Sequence, residues 1–288
     1  MNTTIKKYAS LFVFATAMMG MVSCQPDETD LGNGLASTND PSFTITPNPS
    51  SVYKFTLQAT NENYLSSKWI IDGIPAVDEL GKPKEIFLPD AGDYVITHAV
   101  TGIGGVETTA SKNINISVSD PVAGNRVIDG RFPQGKGQWQ VLDISASGAS
   151  WTFTTGSATI NGGGGNQQGI YQPIIIEAGK QYMVDMAVSG SGATDTWFEV
   201  YVSTRPPVQG SDYSGNGDAD KRISLNTWAG CGKTPFNGKL SEISCSGSGS
   251  RFQFAEGGTV YLVIKAGGQN LGTTGITIKN VELRGVVE

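Results

Sequence analysis

The stretch Thr196-Trp-Phe-Glu-Val-Tyr-Val202 carries the side chains best suited to holding another molecule. Side chains alternate across a strand, so Phe198, Val200 and Val202 point one way and Trp197, Glu199 and Tyr201 the other. The first set is a core face. The second places two aromatic planes on either side of a carboxylate. That combination suits a sugar, whose C–H bonds stack on aromatic rings while its hydroxyls bond to the acid. The alternative is that both faces are buried between two sheets, with Glu199 at a strand end. Glu199 falls mid-strand, however, where a buried unpaired charge is costly.

Neighbouring segments sort by the same alternation. In Tyr182–Val188, the residues Tyr182, Val184, Met186 and Val188 form the apolar face and Asp185 faces away. In Val260–Ala266, Val260, Leu262 and Ile264 face in, while Tyr261 and Lys265 face out. Asp185, Glu199 and Lys265 are therefore expected as the polar groups of one outer face, with Trp197 and Tyr201 as stacking platforms. The other reading is a solvated face with an incidental ion pair. A long loop region adds Asp212-Tyr213-Ser214 and Asn226-Thr227-Trp228, and so Tyr213 and Trp228 as further ligand contacts. Trp151 alternates with Phe153 and reads as core.

The elements that must position these groups are strands. The chain has 288 residues, 38 of them Gly, with 16% charged and 9% aromatic residues, a composition of all-β structure with many turns. Net charge is −6, so there is no basic footprint for nucleic acid or an anionic lipid surface, and a neutral partner fits better. Asn125 to the end reads as one long all-β unit. Its strands fall at 150–155, 169–176, 180–189, 197–203, 259–266 and 275–283, and Ala178-Gly179-Lys180 is a tight turn. Long strands with a final strand returning after long loops suit a two-sheet jelly roll. Before it, residues 42–120 hold shorter strands at 52–59, 68–72, 92–100 and 113–118. Turns at Asp72-Gly73, Pro89-Asp90 and Gly102–Gly105 separate them, as in a small sandwich.

The N-terminus is a targeting segment. Lys6 and Lys7 precede an apolar run, 11–22, too short to span a bilayer as a permanent helix. It ends in Met21-Val22-Ser23-Cys24, which resembles a bacterial lipoprotein lipobox. The resemblance implies a signal peptide over 1–23 and a lipidated Cys24 that anchors the protein without crossing the membrane. The acidic Gln25-Pro-Asp-Glu-Thr-Asp30 that follows is similar to the surface-export signal of Bacteroidetes lipoproteins. Residues 24–41 then read as a flexible acidic tether. With Cys24 so used, Cys231 and Cys245 remain, and in an exported protein they are expected to be bonded. Closing a loop of about 14 residues would contribute about 3 kcal/mol. A rigid loop would also present Trp228 already ordered for binding.

Two families resemble the two units. Trp69-Ile-Ile-Asp-Gly73, Phe87, Ala91-Gly-Asp-Tyr-Val95, Thr101 and Gly104-Gly105 resemble a polycystic-kidney-disease-type (PKD) immunoglobulin-like domain. This implies a core role for Trp69 and a spacer role for the unit, and His98 reads as a structural histidine. In the second unit, Val127-Ile-Asp-Gly-Arg-Phe132, Trp139, Tyr171–Tyr182 and Ile276–Leu283 resemble carbohydrate-binding modules of the family 4 type. The segment 205–250 departs from that pattern. Residues 121–288 would then be a jelly-roll carbohydrate-binding domain.

The order of lipobox, PKD-like unit and glycan module looks like a surface glycan-binding lipoprotein of a Bacteroidetes polysaccharide-utilisation locus. Such a protein is lipid-anchored on the outer membrane, faces outward, and works beside an outer-membrane importer and surface glycosidases. The resemblance also implies a neutral β-glucan ligand of laminarin (β-1,3) type, with xylan or mixed-linkage glucan as runners-up. No cofactor is expected. A structural calcium has two places to sit: the edge at Asp129-Gly130, by resemblance, and the loop bearing Asp212, Asn216, Asp218 and Asp220, whose spacing is not that of an EF-hand.

Two other classes make different demands on the sequence. A jelly-roll glycoside hydrolase needs two carboxylates flanking the bond; β-glucanases of that fold carry a Glu-x-Asp-x-x-Glu strand, and no such run is present. The one histidine, His98, lies in the other unit, and no Gly-x-Ser-x-Gly elbow is present. The remaining alternative is a structural adhesin, in which Trp197 and Trp228 only pack.

Overall fold

The computed structural model describes residues 39–72, 74–76, 82–102 and 104–287. The lipobox, Cys24 and the tether up to residue 38 lie outside the described residues, as does Gly73. The described residues form two compact units: those up to Ile86 together with Tyr94–Ile114, and Phe87–Asp93 together with those from Asn115 onward. Among the described residues, no helix is long and apolar enough to cross a membrane.

The first unit is a small sandwich. One sheet has the order β1-β2-β5, from β1 (Phe43–Asn48), β2 (Ser51–Ala59) and β5 (Lys84–Phe87). The other runs β4-β3-β6-β7, from β3 (Ser66–Ile71), β4 (Ile74–Ala76), β6 (Gly92–Thr101) and β7 (Glu107–Ile116). Period-2 burial on each sheet supplies the core: Phe43, Phe55 and Leu57 from the first, Trp69, Tyr94 and Ile96 from the second. Phe43 meets Trp69 edge-on at 5.1 Å and joins the two faces. His98 is fully buried and stacks on Trp69 at 4.2 Å, and its Nδ1–H donates to the Pro41 carbonyl at 2.8 Å. Trp69 and His98 are thus the structural residues the sequence suggested.

The second unit is built around one strand, β10 (Ser157–Ile176), which is 20 residues long and belongs to both layers. Its first part pairs with β9 (Ala149–Thr154) and β17 (Ile276–Gly285). Its second part pairs with β16 (Gly258–Asn270) and β8 (Gln140–Asp143). The bend between them falls at Gly162–Gly165, where the register to β16 shifts. A Cβ on Gly162 would come within 2.1 Å of the Gly148 carbonyl oxygen, and one on Gly163 within 2.2 Å of that of Gln269, so only glycine lets the strand turn here.

The first layer continues β9-β10-β17-β11, with β11 (Gln181–Gly190) flanked by β14 (Phe236–Lys239) and β15 (Arg251–Gln253). The second runs β8-β10-β16-β12-β13, from β12 (Thr194–Ser203) to β13 (Lys221–Asn226). All pairings in the unit are antiparallel, so the fold is the all-β sandwich expected. One core fills the space between the layers, with Ile160, Val184, Met186 and Ile278 from one side and Ile170, Phe198, Val200, Leu262 and Ile264 from the other. Fully burying each such side chain contributes about 1.5–3 kcal/mol. Phe198, Val200 and Val202 sit on the inner face as alternation required, and Trp151 is buried with them. A short helix, α1 (Leu240–Ile243), follows β14.

Candidate functional site

Strand register assembles the outer face of the β8-β10-β16-β12-β13 layer row by row. Trp197 lies opposite Asn226 on one side and Gly267 on the other, and Gly267 lies opposite Gln167. In the next row Glu199 lies between Ser224 and Lys265, followed by Gly169 and Leu142. The row after that holds Tyr201, Val263 and Tyr171. The expected adjacency of Trp197, Glu199, Tyr201 and Lys265 on one face is therefore what the strands produce.

Most of that face is covered. The segment 204–220, which joins β12 to β13, folds back across it as far as β8. The amide of Asp143 donates to Gln209 Oε1, Gln209 Nε2 donates to the Val141 carbonyl, and the Gly210 amide to that of Asp143, all at 2.7–2.8 Å. Tyr213 packs edge-on against Tyr201 at 5.6 Å, and its hydroxyl donates to the Arg205 carbonyl at 2.8 Å. Leu142, Tyr201, Tyr213 and Val263 form a second apolar cluster beneath the segment.

An ion-pair network runs through the covered part. Lys265 Nζ reaches Asp212 Oδ1 at 2.7 Å and Glu199 Oε2 at 3.3 Å. The Tyr201 hydroxyl donates to Glu199 Oε2 at 3.1 Å. Lys221 Nζ lies 3.6 Å from Glu199 Oε1 and 3.0 Å from Asp218 Oδ1. Burial, reinforced by the Glu199 carboxylate, pushes the Tyr201 phenol far above its ordinary value. Burial pushes the Tyr213 phenol up to about 12. Burial works against the Lys221 ammonium, but the Asp218 and Glu199 carboxylates together raise it.

This corrects four of the expected ligand contacts. Tyr201 (5% exposed), Tyr213 (4%) and Lys265 (3%) are covered by 204–220 and hold it down, so none presents a surface to a ligand. Asp185 is not on this face at all. It is buried on β11 in the opposite layer, at a register shift, where it accepts from the Ser241 amide, the Ser241 hydroxyl and the Met186 amide. Alternation assigned each residue a side of its strand, but it could not assign Asp185 to a layer or foresee what lies over Tyr201. Glu199 sits at the border, its side chain 13% exposed and its oxygens already shared by two lysines and a phenol.

Beyond the border the face is open. Trp197 is half-buried, and Trp228 is 59% exposed. Their rings stack with centroids 6.1 Å apart and planes at 26°. Several contacts fix the turn that carries Trp228. The side-chain oxygen of Asn226 accepts from the Trp228 and Ala229 amides at 2.9 and 3.3 Å. Such Asx capping is the usual use of Asn in a tight turn. Thr227 is buried, its hydroxyl accepting from the Thr196 amide at 2.9 Å. Cys231, three residues after Trp228, is bonded to Cys245, which ties the turn to the chain beside β13.

The tryptophans of the unit differ in one respect. In the buried pair, the Trp139 Nε1–H donates to the Asp129 carbonyl at 3.3 Å and that of Trp151 to the Gln168 carbonyl at 3.2 Å. Trp197 and Trp228 donate to nothing among the described residues. Two rigid, stacked indoles with unengaged N–H groups can stack on a flat apolar face and donate to an acceptor at its rim.

Among the described residues no group of three or more His, Cys, Asp or Glu converges as metal ligands do. The acidic loop is engaged elsewhere: Asp212 and Asp218 pair with lysines, and Asp220 Oδ2 accepts from the Asn216 amide at 2.9 Å. At the other expected calcium position, Asp129 Oδ2 accepts from the Gln138 amide at 3.0 Å. Sequence reasoning missed Gly267 and Gln167 beside Trp197. The Gly267-Gly268 pair within a strand was the available signal, since interior glycines mark close backbone approach.

No protein-family model matches the chain, and no curated protein does. Similar solved structures include the enzymatically active domain of bacteriophage CBA120 tailspike protein 4. It is 17% identical, with a TM-score of 0.36, matching 60% of this chain and only 23% of its own. A structure described as a CBM4 is 13% identical over 56% of this chain and 99% of its own, at a TM-score of 0.35. A SusE-like protein is 11% identical over 85% of this chain and 97% of its own, at a TM-score of 0.23.

Proposed function

We propose that the second unit binds a neutral polysaccharide without cleaving it, and that Trp197 and Trp228 are its stacking platform. The observation that carries this reading is the stacked indole pair, half-buried Trp197 on its strand and exposed Trp228 on a braced turn, both N–H groups unengaged, in a unit whose buried tryptophans satisfy theirs. A pyranose ring offers an apolar C–H face and a rim of hydroxyls, which matches that pair. The nearby carboxylate, Glu199, is held by Lys265, Lys221 and Tyr201 as a structural ion pair, which argues for binding over hydrolysis.

The finer reading rests on the sequence resemblance. The ligand is a β-1,3-glucan of laminarin type, the first unit is a spacer, and the chain is acylated at Cys24 and displayed on an outer membrane. There it would hold glycan for surface glycosidases and an importer. An affinity gel and calorimetry of the full chain against laminarin, mixed-linkage glucan and xylan test the binding. The expected affinity is about 4–8 kcal/mol, or millimolar to micromolar, as for a shallow solvated site. Binding to none of them would sink the reading, and release of reducing sugar would replace it with a hydrolase. Protease added to intact cells tests display: a surface protein is cut, and Cys24→Ala is released or mislocalised.

A further inference from the structure

Three tyrosines of the second unit anchor their hydroxyls within the protein. That of Tyr182 accepts from the Glu177 amide at 2.9 Å, that of Tyr201 donates to Glu199 at 3.1 Å, and that of Tyr213 to the Arg205 carbonyl at 2.8 Å. Tyr171 and Tyr261 are the exceptions. Neither hydroxyl bonds to any other described residue, and neither is shut away from solvent. Their rings are nonetheless held. Both are half-buried and pack against the covered cluster of Leu142, Tyr201, Tyr213 and Val263. Two fixed rings thus carry unengaged polar tips into water, as the tryptophans do at the open end of this face.

Register puts the two side by side. Tyr171 lies opposite Val263 and Tyr261 opposite Pro173, so the tyrosines are diagonal neighbours across β10 and β16, about 7–8 Å apart. They share the outer face with Trp197, because the alternate residues Ile170, Ile174, Leu262 and Ile264 fill the core. The covered row of Glu199 and Lys265 separates them from the indoles. Past the tyrosines the face is apolar and open. Pro173 is exposed and Ile175 is 62% exposed, and with Ile128 they line a groove of about 410 Å³, large enough for a small ligand.

The charged groups of that groove are already engaged. Arg126 pairs with Glu177 at 3.2 Å and donates to the Pro121 carbonyl at 2.9 Å. Asp120 accepts from the Val122 and Ala123 amides, both at 2.8 Å. The lining therefore favours an uncharged ligand that brings an apolar face and hydroxyls of its own.

We infer that Tyr171 and Tyr261 mark a second binding site for an uncharged sugar. Its C–H face rests on Pro173 and Ile175, and its hydroxyls bond to the two phenols, each of which both donates and accepts. The inference rests on the reading of Trp197 and Trp228 as a glycan platform, since the occupant is a further stretch of the same polysaccharide. Tyr261 is six residues along β16 from Gly267, the partner of Trp197, which separates the sites by roughly 20 Å. A polysaccharide reaches both, and its second contact is then intramolecular.

Calorimetry of the full chain, of Trp197→Ala and of the double variant Tyr171→Phe with Tyr261→Phe, against laminarin, mixed-linkage glucan and xylan, tests it. The double variant keeps both rings and removes only the hydroxyls. It should weaken the best-bound glycan about tenfold, the worth of one good hydrogen bond. Its Tm should match wild type, because no protein hydrogen bond is removed; a fall would mean that the hydroxyls serve the fold, and would overturn the inference. If the double variant binds all three glycans within twofold of wild type while Trp197→Ala weakens them, the second site is wrong and the platform stands. If Trp197→Ala binds as wild type while the double variant is weakened, the platform is wrong and the tyrosine site stands alone. If the wild type binds none of the three, both fall together.

Discussion

The outer face of the β8-β10-β16-β12-β13 layer has two ends that began alike in sequence and finish differently. Both carry aromatic residues at alternating positions of one strand, Trp197 at one end and Tyr201 at the other. Around Tyr201 the segment 204–220 adds Tyr213 and Asp212, and every polar group finds a partner: phenol on Glu199, ammonium of Lys265 on Asp212 and Glu199, phenol of Tyr213 on a carbonyl. Around Trp197 the neighbours are Gly267 and the braced turn of Trp228, and polar groups are left over. A satisfied face is part of the folded core. An open aromatic face with unengaged N–H donors is what the proposed glycan platform requires.

This contrast fails or sharpens under substitution. The largest effect is expected at the covered end. Lys265→Met would leave Asp212 without its lysine and the half-buried Glu199 with only Lys221 and Tyr201, and should cost about 3 kcal/mol in urea unfolding. Glycan affinity of the folded fraction should stay near wild type. A loss of affinity with unchanged stability would mean that this end, too, touches ligand.

Removing the Cys231–Cys245 bond by the double serine variant should lower stability by about 3 kcal/mol. It should also weaken binding several-fold, since the Trp228 turn must then be ordered on binding. Wild-type affinity in that variant would show that the hydrogen bonds of Asn226 and Thr227 brace the turn unaided.

At the open end the pattern inverts. Trp197→Ala should cost about 1–3 kcal/mol in binding, by analogy with base–aromatic stacking in open grooves, and Trp228→Ala somewhat less. Because Trp228 is mostly exposed, its loss should change stability by no more than about 0.5 kcal/mol. Unfolding of either variant would move these indoles into the core.

The smallest effect is in pH. The folded state holds the Tyr213 proton more tightly than the unfolded chain, with the phenol pushed up to about 12, and it shifts Tyr201 in the same direction. The contribution of the covered end is therefore complete below the ordinary tyrosine value of about 10 and is lost as pH rises through about 12. Tyrosinate absorbance should show a late phase that Tyr213→Phe reduces. All tyrosines ionising together near 10 would mean that 204–220 does not cover Tyr201 in solution.

The sequence by itself determined a good deal. Alternation put Phe198, Val200 and Val202 inside and Trp197 and Glu199 outside, because a strand's period of two is a local property of the backbone. Residue spacing and export context paired Cys231 with Cys245, and the pattern around Trp69 marked a core residue. It did not reveal that β10 is one strand of 20 residues, since the strands legible in the sequence stop at 155 and resume at 169, and the glycines between them join the strand only when both layers pair with it. Nor did it reveal that Asp185 belongs to the other layer or that 204–220 lies over Tyr201 and Lys265. Which side of a strand a residue takes is decided within a few bonds. What covers that side is decided by chain dozens of residues away, through contacts such as Lys265 to Asp212 that exist only once the sheet has formed.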